Sequence, residues 1–170
     1  MTIHTYINNV KSLSIIPDLC TVVNRYSFYT TSSLLTQNVK EGHLDIVKYV
    51  HEYGADINVN RNEAMYLASK YGHLDIVKYL NECGLTHNFS MLIAYWTGHL
   101  DIVTYLVECN DRDVTSHNNI LVQIAADNGD LEMIKYLFKH GAYIPPNNTW
   151  TARLAEQRGY SDVVKFLNQQ

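Results

Sequence analysis

An eight-residue stretch recurs along this chain of 170 residues. The letters GHLDIVKY occupy Gly42–Tyr49 and again Gly72–Tyr79, and GHLDIVTY follows at Gly98–Tyr105. Diverged copies begin at Gly129 (GDLEMIKYL) and Gly159 (GYSDVVKFL), so that successive glycines lie 30, 26, 31 and 30 residues apart. Self-similarity at this period indicates an array of small structural units, each the size of two short helices and a turn.

Each repeated stretch has the pattern of an amphipathic helix. An acidic residue stands three positions after the glycine, where the first turn of a helix favours negative charge. Apolar residues follow at five and eight positions after the glycine, which is the spacing of a buried helical stripe. We expect the leucine two positions after the glycine to be fully buried as well, in particular Leu74 and Leu100. The aromatic residue seven positions after the glycine, such as Tyr79, is expected to serve packing.

A second helix is predicted before each glycine. Alanine stands four residues before the glycine in four of the five repeats, which indicates that two helices approach closely there. Residues that favour the N-cap stand ten positions before every glycine, and we expect the helices to begin at this column. Its members are Ser32, Asn62, Asn88, Asn119 and Thr149. Each unit is therefore predicted to be a helix, a tight turn, a helix and an irregular excursion to the next unit.

These columns resemble the ankyrin repeat. The resemblance rests on the GHLDIVKYL…G second helix, the alanine of the first helix and the GADIN exit at Gly54–Asn58, and it covers residues 32–170. The Thr-Pro-Leu-His opening usual in the family is absent, and Glu63–Tyr66 occupies its place in the second repeat. The divergent openings and the Asn- and Tyr-rich composition also resemble ankyrin proteins of giant DNA viruses. The resemblance implies an all-α solenoid of stacked helix-turn-helix pairs.

Length and composition define the organisation and the class. Residues 1–31 are predicted to be a degenerate helical pair that caps the open end of the stack, and residues 32–170 to hold about five repeats, with the last helix as the C-terminal cap. The formal charge of −4 provides no basic face for nucleic acid, and no window is long and apolar enough for a membrane span. Three cysteines, an odd number, favour a reducing compartment. We expect a monomer in the cytoplasm, which is the host-cell cytoplasm if the source is viral.

Histidine and cysteine columns are the candidates for chemistry. His43, His73 and His99 each follow a repeat glycine, and Cys83 and Cys109 share the position eleven residues after it. Packed helices stand about 8–10 Å apart, whereas zinc ligands lie about 2 Å from the metal. We therefore interpret the histidines as structural and the thiols as free. No phosphate loop, nucleophile elbow or paired-carboxylate motif occurs, so we predict neither catalysis nor a cofactor or metal.

What remains is binding, and the resemblance implies contacts on the concave face of the first helices and at the tips of the excursions. Carried onto this chain, the resemblance places the concave candidates in the two positions before each glycine, where the residue pair differs in every repeat, unlike the alanine and apolar columns. Trp96 stands out, since tryptophan is strongly enriched at interface hot spots, and Tyr71 would extend it into an aromatic patch. The predicted partner-binding residues are Asn60, Lys70, Tyr71, Trp96, Thr97, His117, Asp127 and Asn128.

Two alternatives stay open at this point. The first is that the pre-glycine positions are merely solvated. The second is that the Trp96 ring folds back onto the shortened excursion that precedes it. The function predicted is a module that binds a partner protein, with no role for nucleic acid or membrane. The alternative function is a substrate adaptor for a ubiquitin ligase or similar host machinery.

Overall fold

A computed structural model describes residues 28–52, 55–85, 89–109, 114–144 and 150–170. This part of the chain contains helices and turns but no strand, and the chain divides into two compact units, Met1–Ser90 and Met91–Gln170. The described helices are α1 (Phe28–Glu41), α2 (Leu44–Glu52), α3 (Val59–Tyr71), α4 (Leu74–Glu82), α5 (Ser90–Thr97), α6 (Leu100–Cys109), α7 (Val114–Asn128), α8 (Leu131–Lys139), α9 (Trp150–Arg158) and α10 (Ser161–Leu167). The predicted all-α architecture of helix-turn-helix pairs is confirmed.

The turn inside each pair explains both the glycine and the alanine column. The repeat glycines have positive φ, for example +81° at Gly72, a conformation that side chains with a Cβ disfavour. The N–H of the next residue then donates to the carbonyl oxygen five residues back, as from His73 to Ala68 at 2.9 Å. This is the bond of a Schellman-type helix end. The alanines at this position, from Ala68 to Ala155, are completely buried, as a close approach of two helices requires.

The core of each repeat is an apolar stripe on the second helix. The residues four and five positions after the glycine, such as Ile76 and Val77, have no exposed surface in the first four repeats apart from 7% at Met133. The expectation for Leu74 and Leu100 is wrong, because Leu74 is half-buried and Leu100 is 48% exposed. Each is the first residue of its helix and lies two residues, or about 200°, before the stripe begins.

The predicted column of helix starts is also wrong for the three of its five members that the structure describes. Ser32, Asn62 and Asn119 lie inside α1, α3 and α7, which begin three to five residues earlier. The reason at Asn119 is visible, because its side-chain Oδ1 accepts a hydrogen bond from the Tyr143 N–H at 3.0 Å and so fastens the excursion after α8 to α7. Asn88 and Thr149 lie outside the described residues.

The predicted N-terminal cap, residues 1–31, lies almost wholly outside the described residues and stays a prediction. The first described helix, α1, begins at Phe28. No helix in the ranges given above is long and apolar enough to cross a membrane.

The first helices pack side by side within each unit, and this packing positions the pre-glycine residues. In the N-terminal unit α1 packs against α3, and in the C-terminal unit α7 packs against α9. Each of these helices also packs against the second helix of its own pair. Because the pre-glycine residues end every first helix, those of α7 and α9 come to lie next to each other in space.

Candidate protein-interaction face

The candidate positions are the last two residues of each first helix, called here the pre-glycine positions. Lys70 and Tyr71 end α3, Trp96 and Thr97 end α5, and all four are exposed. On α7, Asp127 is half-buried and Asn128 is exposed. Asn60 and His117 lie in α3 and α7, and their side chains are outside the described set.

Trp96 projects from the short helix α5. Its side chain is 66% exposed. The neighbouring Thr97 hydroxyl donates to the carbonyl oxygen of Ile93 at 2.8 Å, within the same helix. Trp96 therefore offers a large apolar surface beside a hydroxyl group that its own helix already satisfies.

An ion pair lies at the pre-glycine positions of the C-terminal unit. Arg158, at the end of α9, donates from Nε to Asp127 Oδ1 at 2.9 Å and from a terminal nitrogen to Oδ2 at 3.2 Å. The hydrogen bond and the charge of Asp127 raise the pKa of Arg158 further above its ordinary value. Two parallel bonds of this kind hold both side chains in one orientation. Because the guanidinium is exposed, N–H donors remain available to a partner.

Tyr95, next to Trp96, connects α5 to the following repeat. Its hydroxyl donates to Asp130 Oδ2 at 3.0 Å, while Asp130 Oδ1 accepts from the Met133 N–H at 3.0 Å and caps α8. Burial raises the pKa of Tyr95 to about 12; the hydrogen bond to Asn128 opposes this rise and the Asp130 carboxylate adds to it. Asn128 therefore contributes to this connection as well as to the exposed face.

In the N-terminal unit the same end of the first helices carries Lys70 and Tyr71. The Lys70 Nζ lies 5.7 Å from the centroid of the Tyr71 ring, within cation–π range. One turn away, His73 Nε2 lies 2.9 Å from the carbonyl oxygen of Lys40, and this bond joins two successive repeats. The predicted aromatic patch of Tyr71 with Trp96 would involve both units and stays a prediction.

The histidines after the glycines contact neighbouring protein groups. His43 Nδ1 lies 3.3 Å from Asn38 Oδ1 and also 3.3 Å from Glu41 Oε2. The His73 ring lies against Gly42, where an added Cβ would stand 2.7 Å from it. Within the described ranges, no group of three or more His, Cys, Asp or Glu residues is arranged to hold a metal ion.

Sequence reasoning missed three residues, two beside the pre-glycine positions and one at the opposite end of a first helix. Tyr95 and Asp130 are joined across 35 residues, and the signal was that Asp130 interrupts the histidine column. Trp150, the other tryptophan, begins α9 and is 55% exposed, at the end of the first helices away from the glycines. Its position directly after the N-cap column was the available signal.

Comparison with known families supports the repeat assignment over the length of the chain. A family model for ankyrin repeats, three copies long, matches residues 4–91 and again residues 90–170. The chain belongs to the ankyrin repeat family. Comparison with curated proteins gave no match. Ankyrin repeats are generally protein-interaction modules rather than enzymes, so the broad function is that of a scaffold for binding proteins.

Proposed function

We propose that this ankyrin protein binds a partner protein through the pre-glycine positions that the family resemblance assigns to the concave face, with Trp96 as the anchor. The observation that supports it most is the exposed indole of Trp96. A large apolar side chain in water has a free-energy cost that burial against a partner removes, and tryptophan is prominent among hot-spot residues.

Polar groups occupy other pre-glycine positions of the C-terminal unit. There the partly exposed Asp127–Arg158 ion pair supplies a charged pair that is already oriented. An apolar centre with polar groups around it is the usual composition of an interface. The partner surface that matches it has an apolar pocket for the indole and an acidic group for the free donors of Arg158.

The test compares the two tryptophans as matched variants. Tagged wild type, Trp96→Ala and Trp150→Ala are used to capture proteins from extracts of cells that express the protein natively, and the captured proteins are identified by mass spectrometry. A partner that wild type and Trp150→Ala retain, and Trp96→Ala loses, supports the proposal. Loss with Trp150→Ala alone would place the binding face at the other end of the first helices.

Affinity for an identified partner is then measured directly. The chain has two tryptophans, so Trp150→Phe leaves Trp96 as the sole indole fluorophore, and its emission should shift when the partner covers it. Trp96→Ala should weaken binding about 30-fold, which corresponds to about 2 kcal/mol. Because the side chain is exposed, the melting temperature should stay unchanged. An array that unfolds on this substitution, or an unchanged affinity, contradicts the proposal.

The alternative of a substrate adaptor for a ubiquitin ligase stays a prediction. It differs from the proposal in what the bound partner is delivered to, and both require the same binding face.

A further inference from the structure

A cluster of three reactive or titratable side chains lies away from the pre-glycine face, where α2 meets the end of α4. Nδ1 of His51 lies 2.6 Å from the hydroxyl of Tyr79 and 3.9 Å from Sγ of Cys83. The two rings are packed edge to face with centroids 5.9 Å apart. Cys83 itself is exposed, so a reagent in solution can reach the sulfur beside the imidazole.

The chain contains a matched comparison for this cysteine. Cys109 occupies the same repeat position, eleven residues after its glycine, and is also exposed. Both cysteines stand at the end of a second helix, so the dipole of the helix acts alike on the two sulfur atoms. They differ in their hydrogen bonds, because His51 lies within hydrogen-bond distance of Cys83, whereas among the described residues no imidazole is hydrogen-bonded to Cys109. In the sequence register, Asn81 occupies the repeat position of His51.

Charged groups of both signs lie near the cluster. The Lys48 ammonium lies 5.2 Å from the centroid of the Tyr79 ring and contributes positive charge. Burial first, then Cys83 and Glu52, raise the pKa of Tyr79 to about 12, so the phenol stays protonated near neutral pH. A protonated phenol donates to His51 Nδ1, which identifies this nitrogen as the acceptor in the neutral ring.

We propose that Cys83 is a site of covalent modification by small-molecule disulfides such as glutathione disulfide, with His51 as the base. The Tyr79 hydroxyl turns away from Nδ1, Nδ1 takes the proton from Sγ, and the sulfur attacks one sulfur of the disulfide. A new disulfide bond forms at Cys83 as the original one breaks, and the departing thiolate takes up the proton from His51. One thiol and one disulfide give one mixed disulfide and one new thiol, so no further oxidant is needed.

The test uses proteins that each retain one cysteine. Cys20→Ser with Cys109→Ser leaves Cys83, and Cys20→Ser with Cys83→Ser leaves Cys109. Each is reacted at pH 7 with 5,5′-dithiobis(2-nitrobenzoate) and, separately, with glutathione disulfide followed by intact-mass measurement. A tenfold gain in deprotonated sulfur raises the exchange rate only about threefold, because a less basic sulfur is a weaker nucleophile. We therefore expect Cys83 to react about threefold faster than Cys109, or more.

Variants of the neighbours separate the imidazole from other causes. In the protein that retains Cys83, His51→Asn should remove the rate advantage, while Lys48→Gln should keep most of it. Tyr79→Phe removes the hydroxyl that competes for Nδ1, so Cys83 should react as fast in this variant as without the change, or faster. This result tests the role of Nδ1 even if His51→Asn lowers stability. Circular dichroism checks that each variant is folded. The proposal is overturned if the two cysteines react at equal rates. It is also overturned if the rate advantage of Cys83 survives His51→Asn, or if only Lys48→Gln removes that advantage.

Discussion

The substitution Gly129→Ala tests the joint between the last two repeats. Gly129 has a φ of +74°, and a Cβ built there would lie 2.6 Å from Cδ1 and 2.9 Å from Cγ of Tyr160. Because the contact includes Cγ, at the root of the ring, the whole side chain must rotate to relieve it. Gly98 is the matched control in the same unit, since its φ is +83° and an added Cβ meets nothing within 4 Å.

The expected magnitudes follow from these two contributions. Placing alanine in a left-handed conformation costs about 1–2 kcal/mol at either site. At Gly129 the forced movement of Tyr160 adds about 1 kcal/mol, at the low end of overpacking costs because the ring is partly exposed. We therefore expect Gly129→Ala to lose about 2–3 kcal/mol of the free energy of unfolding, and Gly98→Ala about 1–2 kcal/mol.

Urea denaturation followed by circular dichroism measures both losses, and a double-mutant cycle isolates the contact. Tyr160→Ala removes the ring, so adding Gly129→Ala to it should cost only the backbone strain. The combined loss should then fall short of the sum of the single losses by about 1 kcal/mol. If Gly129→Ala destabilises no more than Gly98→Ala, or if the two single losses add without coupling, the described packing of Tyr160 on Gly129 is refuted.

Other consequences can be measured on the same protein. Ile102→Ala should lower the free energy of unfolding by about 2–5 kcal/mol and Leu100→Ala by less than about 1 kcal/mol, because only the first is buried; similar losses in urea would contradict this. The raised pKa of Tyr95, about 12 against 10.0, favours its protonated form in the folded state, so its stabilisation is present below pH 10 and is lost as the pH rises towards 12. Alkaline unfolding should thus be less steep in Tyr95→Phe than in wild type, with exposed Tyr143→Phe as the unchanged control. Metal analysis should find no stoichiometric zinc and a chelator should leave the melting temperature unchanged; one zinc per chain would contradict the structural interpretation of the histidines.

Repetition made the helix pairs predictable from the sequence. A position that has the same packing role in every repeat carries similar residues in every repeat, so the buried alanines and the Ile-Val stripe are visible as columns in the sequence. The same logic failed for Leu100, because a column of identical residues shows that a position is constrained without showing that it is buried. The first turn of a helix is such a position, since it begins the helix while the stripe starts two residues later.

Contacts between repeats could not be derived in this way. The bond from Tyr95 to Asp130 spans 35 residues and depends on the register between two helical pairs, which periodicity alone does not define. The helix starts failed for a local reason. Asn119 belongs to the residue class that favours caps, but a tertiary contact with the Tyr143 N–H engages its side chain and the helix extends past it. Intrinsic preference is a weak guide where a tertiary partner is available.

The residue after the turn glycine contacts the preceding repeat in three described cases, each time through a different type of side chain. His73 bonds to a backbone carbonyl oxygen of the preceding repeat, Asp130 accepts from a tyrosine of the preceding repeat, and the Tyr160 ring covers a glycine of the preceding repeat. This explains why the histidine column breaks down along the chain while the period persists. Any side chain that reaches back to the end of the previous first helix satisfies the requirement.

This arrangement couples the joints to the proposed binding face. Tyr95 precedes Trp96 in α5, and its hydroxyl is held by Asp130, so the joint fixes the helix that carries the anchor. A partner that binds a preset indole avoids the cost of ordering it. Tyr95→Phe should therefore weaken partner binding although Tyr95 need not touch the partner, and it should do so less than Trp96→Ala does. Titration of the partner against Trp96 fluorescence in the Trp150→Phe background measures this. If Tyr95→Phe lowers stability but leaves the affinity unchanged, the joint stabilises the fold without positioning the anchor.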